Sequence, residues 1–143
     1  MRISEVLQVK GDNVITISPD ATVGELVNLL NSNNIGAVVV SAGARNVDGI
    51  VSERDVVRSM GKGVDPLVAQ VREIMTANVR TAGPSESVHD LMRLMTEHRI
   101  RHVPVVVDDQ LHGIVSIGDV VKSRINELEF ERDQLESYVA GSQ

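Results

Sequence analysis

Cysteine and tryptophan are absent from this 143-residue chain, and its aromatic residues are Phe130 and Tyr138 alone. Without cysteine there is no disulfide, no thiolate nucleophile and no zinc–thiolate cluster, which removes several enzyme classes at once. The longest apolar stretches, Ile35 to Val40 and Val103 to Val107, fall far short of the roughly 18–20 residues that cross a bilayer. The net charge is -6, and most of it lies near the C-terminus, where Glu127, Glu129, Glu131, Asp133 and Glu136 stand against Arg132. The remaining body is near neutral, so it lacks both the basic stripe and the stacking platform of a nucleic-acid binder. The start, Met1-Arg2-Ile3-Ser4-Glu5, sets an acid ahead of any apolar run and carries no cleavage-site pattern. Neither a secretory signal nor a transit peptide is read there, and the expected location is the cytoplasm. At 42% hydrophobic and 24% charged residues, the composition is that of a globular protein with room for one domain or two tightly joined halves.

What is present is a duplication. Aligning Val14 with Val79 sets Thr16 on Thr81, Pro19 on Pro84, Val23 on Val88, Leu26 on Leu91, Leu29 on Leu94 and Ile35 on Ile100. Removing one residue between Gly43 and Gly49 then superposes Gly49-Ile50-Val51-Ser52 on Gly113-Ile114-Val115-Ser116, and Asp55-Val56-Val57 on Asp119-Val120-Val121. The lead-in recurs as well, since Ile3-Ser4-Glu5-Val6-Leu7 has the pattern of Val71-Arg72-Glu73-Ile74-Met75.

Each copy changes periodicity in the same order. A short strand at Val14–Ile17 or Val79–Ala82 is punctuated by Pro19 or Pro84, and a helix follows. Thr22-x-x-Glu25 and Ser87-x-x-Asp90 have the form of helix-start caps. Val23, Leu26, Val27 and Leu30 repeat the apolar stripe of Val88, Leu91, Met92 and Met95. Two β-branched hairpins come next, Ala37–Ser41 with Val47–Ser52 and His102–Val107 with Leu111–Ser116, the second turning at Asp108-Asp109-Gln110. A further helix begins near Ser52 or Ser116, and Gly61 to Pro66 reads as the connection between copies. A unit of about 60 residues is marginal alone, so the copies are expected to pack sheet to sheet about a pseudo-twofold axis. Two related clefts then form where they meet.

Both copies place Gly-Ile-Val-Ser-x-x-Asp at a strand-to-helix junction, Gly49 to Asp55 and Gly113 to Asp119. A carboxylate there can accept two hydrogen bonds from a vicinal diol, and the unpaired N–H groups of a helix start favour phosphate. The same Ser-x-x-Asp spacing is also a plain capping pair, which needs no ligand. Arg99-Ile100-Arg101-His102-Val103-Pro104 brings two guanidiniums and an imidazole to the edge of one cleft, whereas the matching Asn34-Ile35-Gly36-Ala37-Val38-Val39 is uncharged. The two clefts should therefore differ, with Gly36 and Ala37 leaving room for a ring. Arg54 stands where the second string has Gly118, and is a candidate phosphate contact.

The duplicated unit and its paired strings, from about Ile3 to Lys122, resemble the cystathionine-β-synthase (CBS) domain family in its tandem form, the Bateman module of stand-alone bacterial type. The resemblance implies a mixed α+β, α/β fold of two β-α-β-β-α repeats packed through their sheets, at residues 3–62 and 71–124. A linker at 63–70 and a helical extension at 125–143 complete the division. It implies an adenine nucleotide, AMP, ATP or NAD-type, bound between the repeats. Ser52, Asp55, Ser116 and Asp119 would hold its ribose and phosphate, Thr16 and Thr81 would line base or ribose, Arg54, Arg101 and His102 would serve the phosphate, and Gly118 would belong to the ligand-binding set. With no aromatic in the body, the ring would lie between aliphatic faces such as Ile35, Val51, Ile100 and Val115, with Gly36, Ala37 and Pro104 completing the lining.

Other signals read as structure. His98 and His102 have metal-ligand spacing but straddle a helix-to-strand break, and Gly61-Lys62-Gly63 lacks the full phosphate-loop pattern. No nucleophile, base and orienting group assemble, so no catalysis and no catalytic cofactor are expected. After Asp119 a long helix runs to about Tyr138, with Val121, Ile125, Leu128, Leu135 and Val139 at three-to-four spacing on an acidic background, which favours a homodimer. The expected role is a regulatory energy- or redox-state sensor acting on an unidentified protein. The alternative is an interaction protein with vestigial clefts that works through its C-terminal helix.

Overall fold

The computed structural model describes residues 1–11 and 14–141, so the last two residues of the 125–143 extension lie outside the described residues. In chain order the elements are α1 (Ile3–Lys10), β1 (Thr16–Ile17), α2 (Val23–Asn33), β2 (Ala37–Val40), β3 (Gly49–Ser52) and α3 (Glu53–Gly61). The second half follows as α4 (Val71–Ile74), α5 (Val88–His98), β4 (His102–Val107), β5 (Gln110–Ser116) and α6 (Ile117–Gly141). Caps start the helices where the sequence places them. Thr22 Oγ1 accepts the Glu25 N–H at 3.1 Å and Ser87 Oγ accepts the Asp90 N–H at 3.0 Å. Asn34 and Arg99 close α2 and α5 in the left-handed conformation, φ 51° and 54°, as matching residues of the two copies.

In the first half β1 pairs parallel with β2, and β2 pairs antiparallel with β3. In the second half β4 and β5 form a two-stranded antiparallel sheet with a register shift between Val105 and Val106. The strand expected at Val79–Ala82 shrinks to a single parallel bridge between Ala82 and Val105. Both backbone groups of Ala82 are used there, its N–H on the Pro104 carbonyl and its carbonyl on the Val106 N–H. The next N–H, that of Gly83, turns back to the Glu86 carboxylate instead of extending the ladder.

Two hydrophobic cores result, and each takes the lead-in helix that precedes the other repeat. Ile3 and Val6 of α1 pack with Val88, Leu91, Met95, Val103, Val105, Val115 and Val120. Val71 of α4 and Ala69 before it pack with Val23, Leu26, Val38, Val40 and Val51. The repeat before which each lead-in stands is therefore not the repeat whose core it fills. Burying a side chain the size of Ile3, which is fully enclosed, contributes about 1.5–3 kcal/mol.

Two glycines make this crossing possible. A Cβ at Gly49 would stand 2.6 Å from Met75 Sδ, and one at Gly113 would stand 2.8 Å from Leu7 Cδ2. Met75 and Leu7 occupy matching places in the two lead-ins. The glycine that opens each Gly-Ile-Val-Ser string is thus the floor on which a lead-in helix sits. The connecting residues also lie on the first half: the Val64 N–H reaches the Ser59 carbonyl at 3.0 Å, and the Gly24 N–H reaches Pro66 at 2.9 Å.

Candidate functional site

Each strand-to-helix junction is built the same way. The N–H of Glu53, first in α3, donates to the Gly36 carbonyl at 3.0 Å, and the N–H of Ile117, first in α6, donates to the Arg101 carbonyl at 2.8 Å. Ser52 and Asp55 form a reciprocal box, with the Asp55 N–H on Ser52 Oγ at 3.4 Å and the Ser52 N–H on Asp55 Oδ2 at 2.8 Å. Ser116 and Asp119 repeat it at 3.1 and 2.9 Å. Among the described residues no acceptor faces the N–H of Arg54 or Gly118, the second position of each helix. A partly exposed carboxylate, a serine hydroxyl and a free backbone donor therefore recur together at both junctions. These are the groups that can hold a ribose diol and an adjoining phosphate.

The halves meet around His102. A Cβ on Gly36 would lie 3.7 Å from its imidazole, and Lys10, Asp119, Arg101 and Glu53 all act on the ring electrostatically. Burial pulls the imidazole below its ordinary value, Lys10 and Arg101 add to the effect, and Asp119 and Glu53 oppose it. Asp119 is the better-defined charge. Burial raises its carboxyl, but hydrogen bonds from Lys10 and from the Ser116 backbone, with the Lys10 charge itself, outweigh that and hold it below the ordinary carboxylate value. Lys10 Nζ stands 2.7 Å from Asp119 Oδ2 and 2.7 Å from the Ile114 carbonyl. A groove of about 240 Å³ opens between α1 and α6, with Glu5, Val9, Lys10, Asp119, Lys122 and Asn126 among its lining.

Several sequence expectations are corrected by burial. Val51 and Val115 are fully enclosed, Ala37 is 4% exposed, and Pro104 is buried, so none of these side chains offers a face to a purine. For Val51 and Val115 the cause is strand alternation, as in Gly49–Ser52 where the odd positions point into the core and Ile50 and Ser52 point out, whereas Ala37 and Pro104 lie in runs covered on both faces. The room beside Gly36 is taken up by His102. Ile35 and Ile100 pack against the two cores while remaining partly exposed. Thr16 is half-buried in β1, Thr81 is exposed, and Arg54, Arg101 and Gly118 are exposed at the junctions. Arg99 is an exposed helix cap. Sequence reasoning missed Lys10 and Glu53. The basic last residue of α1 was visible as a helix-end charge, but nothing local tied it to a carboxylate 109 positions away.

Paired helix-start boxes on a duplicated β-α-β-β-α unit define a tandem CBS-domain protein, and the CBS domain family matches residues 4–62 and 71–126: the chain belongs to it. Among its relatives, the mitochondrial CBS domain-containing protein CBSX3 of Arabidopsis thaliana is 36% identical over 97% of this chain and 72% of the plant protein. YhcV of Bacillus subtilis is 32% identical over 87% of this chain and 88% of its own length. The solved CBS-domain protein ATU1752 of Agrobacterium tumefaciens superposes with a TM-score of 0.82 at 42% identity, over 87% of this chain and 99% of that one. PAE2072 of Pyrobaculum aerophilum, solved with AMP, gives 0.74 at 28% over 83% and 89%. The CBS pair of MJ0100, solved with 5′-methylthioadenosine and S-adenosyl-L-methionine, gives 0.77 at 25% over 85% and 98%. No described helix is long and apolar enough to cross a membrane.

Proposed function

We infer that this chain binds an adenosine-containing ligand at the strand-to-helix junctions and uses its occupancy to regulate a partner protein, with no reaction of its own. The observation that carries the reading is the twofold recurrence of a partly exposed carboxylate, a serine hydroxyl and a free helix N–H at Asp55 and Asp119. Bound AMP in PAE2072 and bound 5′-methylthioadenosine and S-adenosylmethionine in MJ0100 support it, since these ligands share the adenosine moiety. An AMP-, ATP- or NAD-type nucleotide is the ligand class, and a cytoplasmic location the matching address.

Thermal unfolding of the whole chain against AMP, ADP, ATP, NAD, S-adenosylmethionine and GTP tests this. A ligand at about 100 times its dissociation constant adds about 2.7 kcal/mol. Asp55→Asn and Asp119→Asn keep an acceptor for the helix cap but lose the charge that grips a diol. A shift produced by adenine compounds and diminished in these variants is expected. No shift with any adenine compound, in folded protein, would reduce the strings to helix caps.

The exposed face of α6 supports a homodimer as the regulatory unit. Val120 is the buried residue of that helix, whereas Val121, Ile125, Leu128 and Leu135 are 47–64% exposed. Lys122 and Arg124 sit near its start and Glu129, Glu131, Asp133 and Glu136 near its end, so an antiparallel second copy sets opposite charges together.

A further inference from the structure

We propose that Lys10 makes the cleft at Asp119 select a phosphorylated adenosine ligand over a neutral one; the idea rests on the ligand reading above and assigns a residue that the paired strings do not contain. Lys10 closes the last turn of α1, a helix held by Ile3 and Val6 in the second core, so its ammonium is delivered to the junction by packing. There it spans Asp119 Oδ2 and the Ile114 carbonyl, at 2.7 Å each. Asp119 Oδ2 also takes the Ser116 N–H at 2.9 Å. A vicinal diol grips a carboxylate best through both oxygens, and one of the two is already filled by a cation and an amide.

The first half differs. Asp55 holds the Ser52 N–H at 2.8 Å and the Ser52 hydroxyl at 3.0 Å, and among the described residues no ammonium or guanidinium is paired with it. Aligning Ile3 with Val71 puts Asn78 where Lys10 stands. The asymmetry of the clefts thus lies in the lead-ins as well as in Arg101 and His102.

For a neutral nucleoside, reaching Asp119 means separating the close Lys10–Asp119 ion pair, with Glu5 as the other carboxylate in the groove. A phosphorylated ligand brings its own counter-charge for the ammonium. The ammonium moves from carboxylate to phosphate, the carboxylate is released to the diol, and Lys122 in the same groove adds a second positive charge. Charge-assisted hydrogen bonds of this kind separate the two ligand classes by about tenfold or more.

The test is calorimetric titration of the full chain with AMP and with adenosine, in an Asp55→Asn background that silences the first cleft. With Lys10 in place AMP is expected to bind at least about tenfold tighter than adenosine. In Lys10→Met the ratio is expected to fall toward one, adenosine gaining and AMP losing, and Lys10→Arg is expected to restore most of the preference. An unchanged ratio in Lys10→Met overturns the role of Lys10 alone. Loss of all binding in Asp55→Asn, with binding intact in the unsubstituted chain, shows that the second cleft is no site and likewise overturns it. Binding of neither compound by the unsubstituted chain overturns the ligand reading and this proposal together.

Discussion

A single methyl group added at Gly49 or at Gly113 measures how rigidly each lead-in helix is seated. At Gly49 the new Cβ would meet Met75 Sδ at 2.6 Å and the Thr76 carbonyl oxygen at 2.9 Å. The thioether can swing aside, but the carbonyl is pinned by reciprocal hydrogen bonds between Ile50 and Thr76 of 3.0 and 2.9 Å. Overpacking costs about 1–3 kcal/mol and a weakened hydrogen bond about 1 more. Loss of glycine's freedom in the unfolded chain returns about 0.4–1 kcal/mol, so Gly49→Ala should cost about 2 kcal/mol net. At Gly113 the clash is with Leu7 Cδ2 alone at 2.8 Å, the next atom being Leu7 Cδ1 at 3.6 Å. A leucine tip rotates at a cost near the lower end of the overpacking range, about 1 kcal/mol, which the entropic gain nearly offsets. With about 3–5 °C of Tm per kcal/mol at this chain length, Gly49→Ala should lose about 6–10 °C and Gly113→Ala less than about 3 °C. Far-UV circular dichroism in heat and in urea is the assay, because the chain has no tryptophan to report. Equal losses, or the reverse order, would refute the account of how these helices are held.

Two further expectations concern pH and assembly. Asp119 and His102 both titrate below their ordinary values of 3.8 and 6.5 in the folded chain, so the unfolded chain takes up protons first as pH falls. The His102 contribution is complete above pH 6.5 and lost as pH drops through the folded value, and the Asp119 contribution behaves likewise in the carboxylate range. The urea midpoint should therefore hold between pH 8 and 7 and decline below 6.5, with His102→Gln flattening the first part of that decline; a midpoint rising on acidification would contradict it. Replacing Ile125 or Leu128 on the exposed face of α6 by Glu should convert a dimer to monomer in sedimentation velocity while leaving the circular dichroism spectrum unchanged, and an unaltered sedimentation coefficient would remove α6 from the interface.

Much of the fold was legible because its signals are local. The hairpins, the Thr22 and Ser87 caps and the Ser-x-x-Asp boxes all join residues a few positions apart, and the duplication let each half corroborate the other. Burial of Val51 and Val115 was also readable in principle, since alternation along Gly49–Ser52 sends valine inward whenever serine faces the junction. The exchange of lead-ins was not readable. Ile3 looks alike whichever core it enters, and its hydrogen bond to the Glu86 carbonyl spans the whole first repeat, the connection and α4. The Lys10–Asp119 pair shares that origin, being a by-product of where α1 docks.

Exchanged lead-ins also bear on how the two halves are held together. The chain runs from the second core to the first, continues through α4 without leaving it, and only then returns to complete the second. Separating the halves would mean pulling α1, with Ile3 and Val6 buried, out of the second core or α4, with Val71 buried, out of the first. The two lobes are laced together by their lead-ins. Helix α6 starts on the residue after Ser116 and runs about 37 Å from that junction, carrying its exposed apolar face beyond the core that Val120 joins.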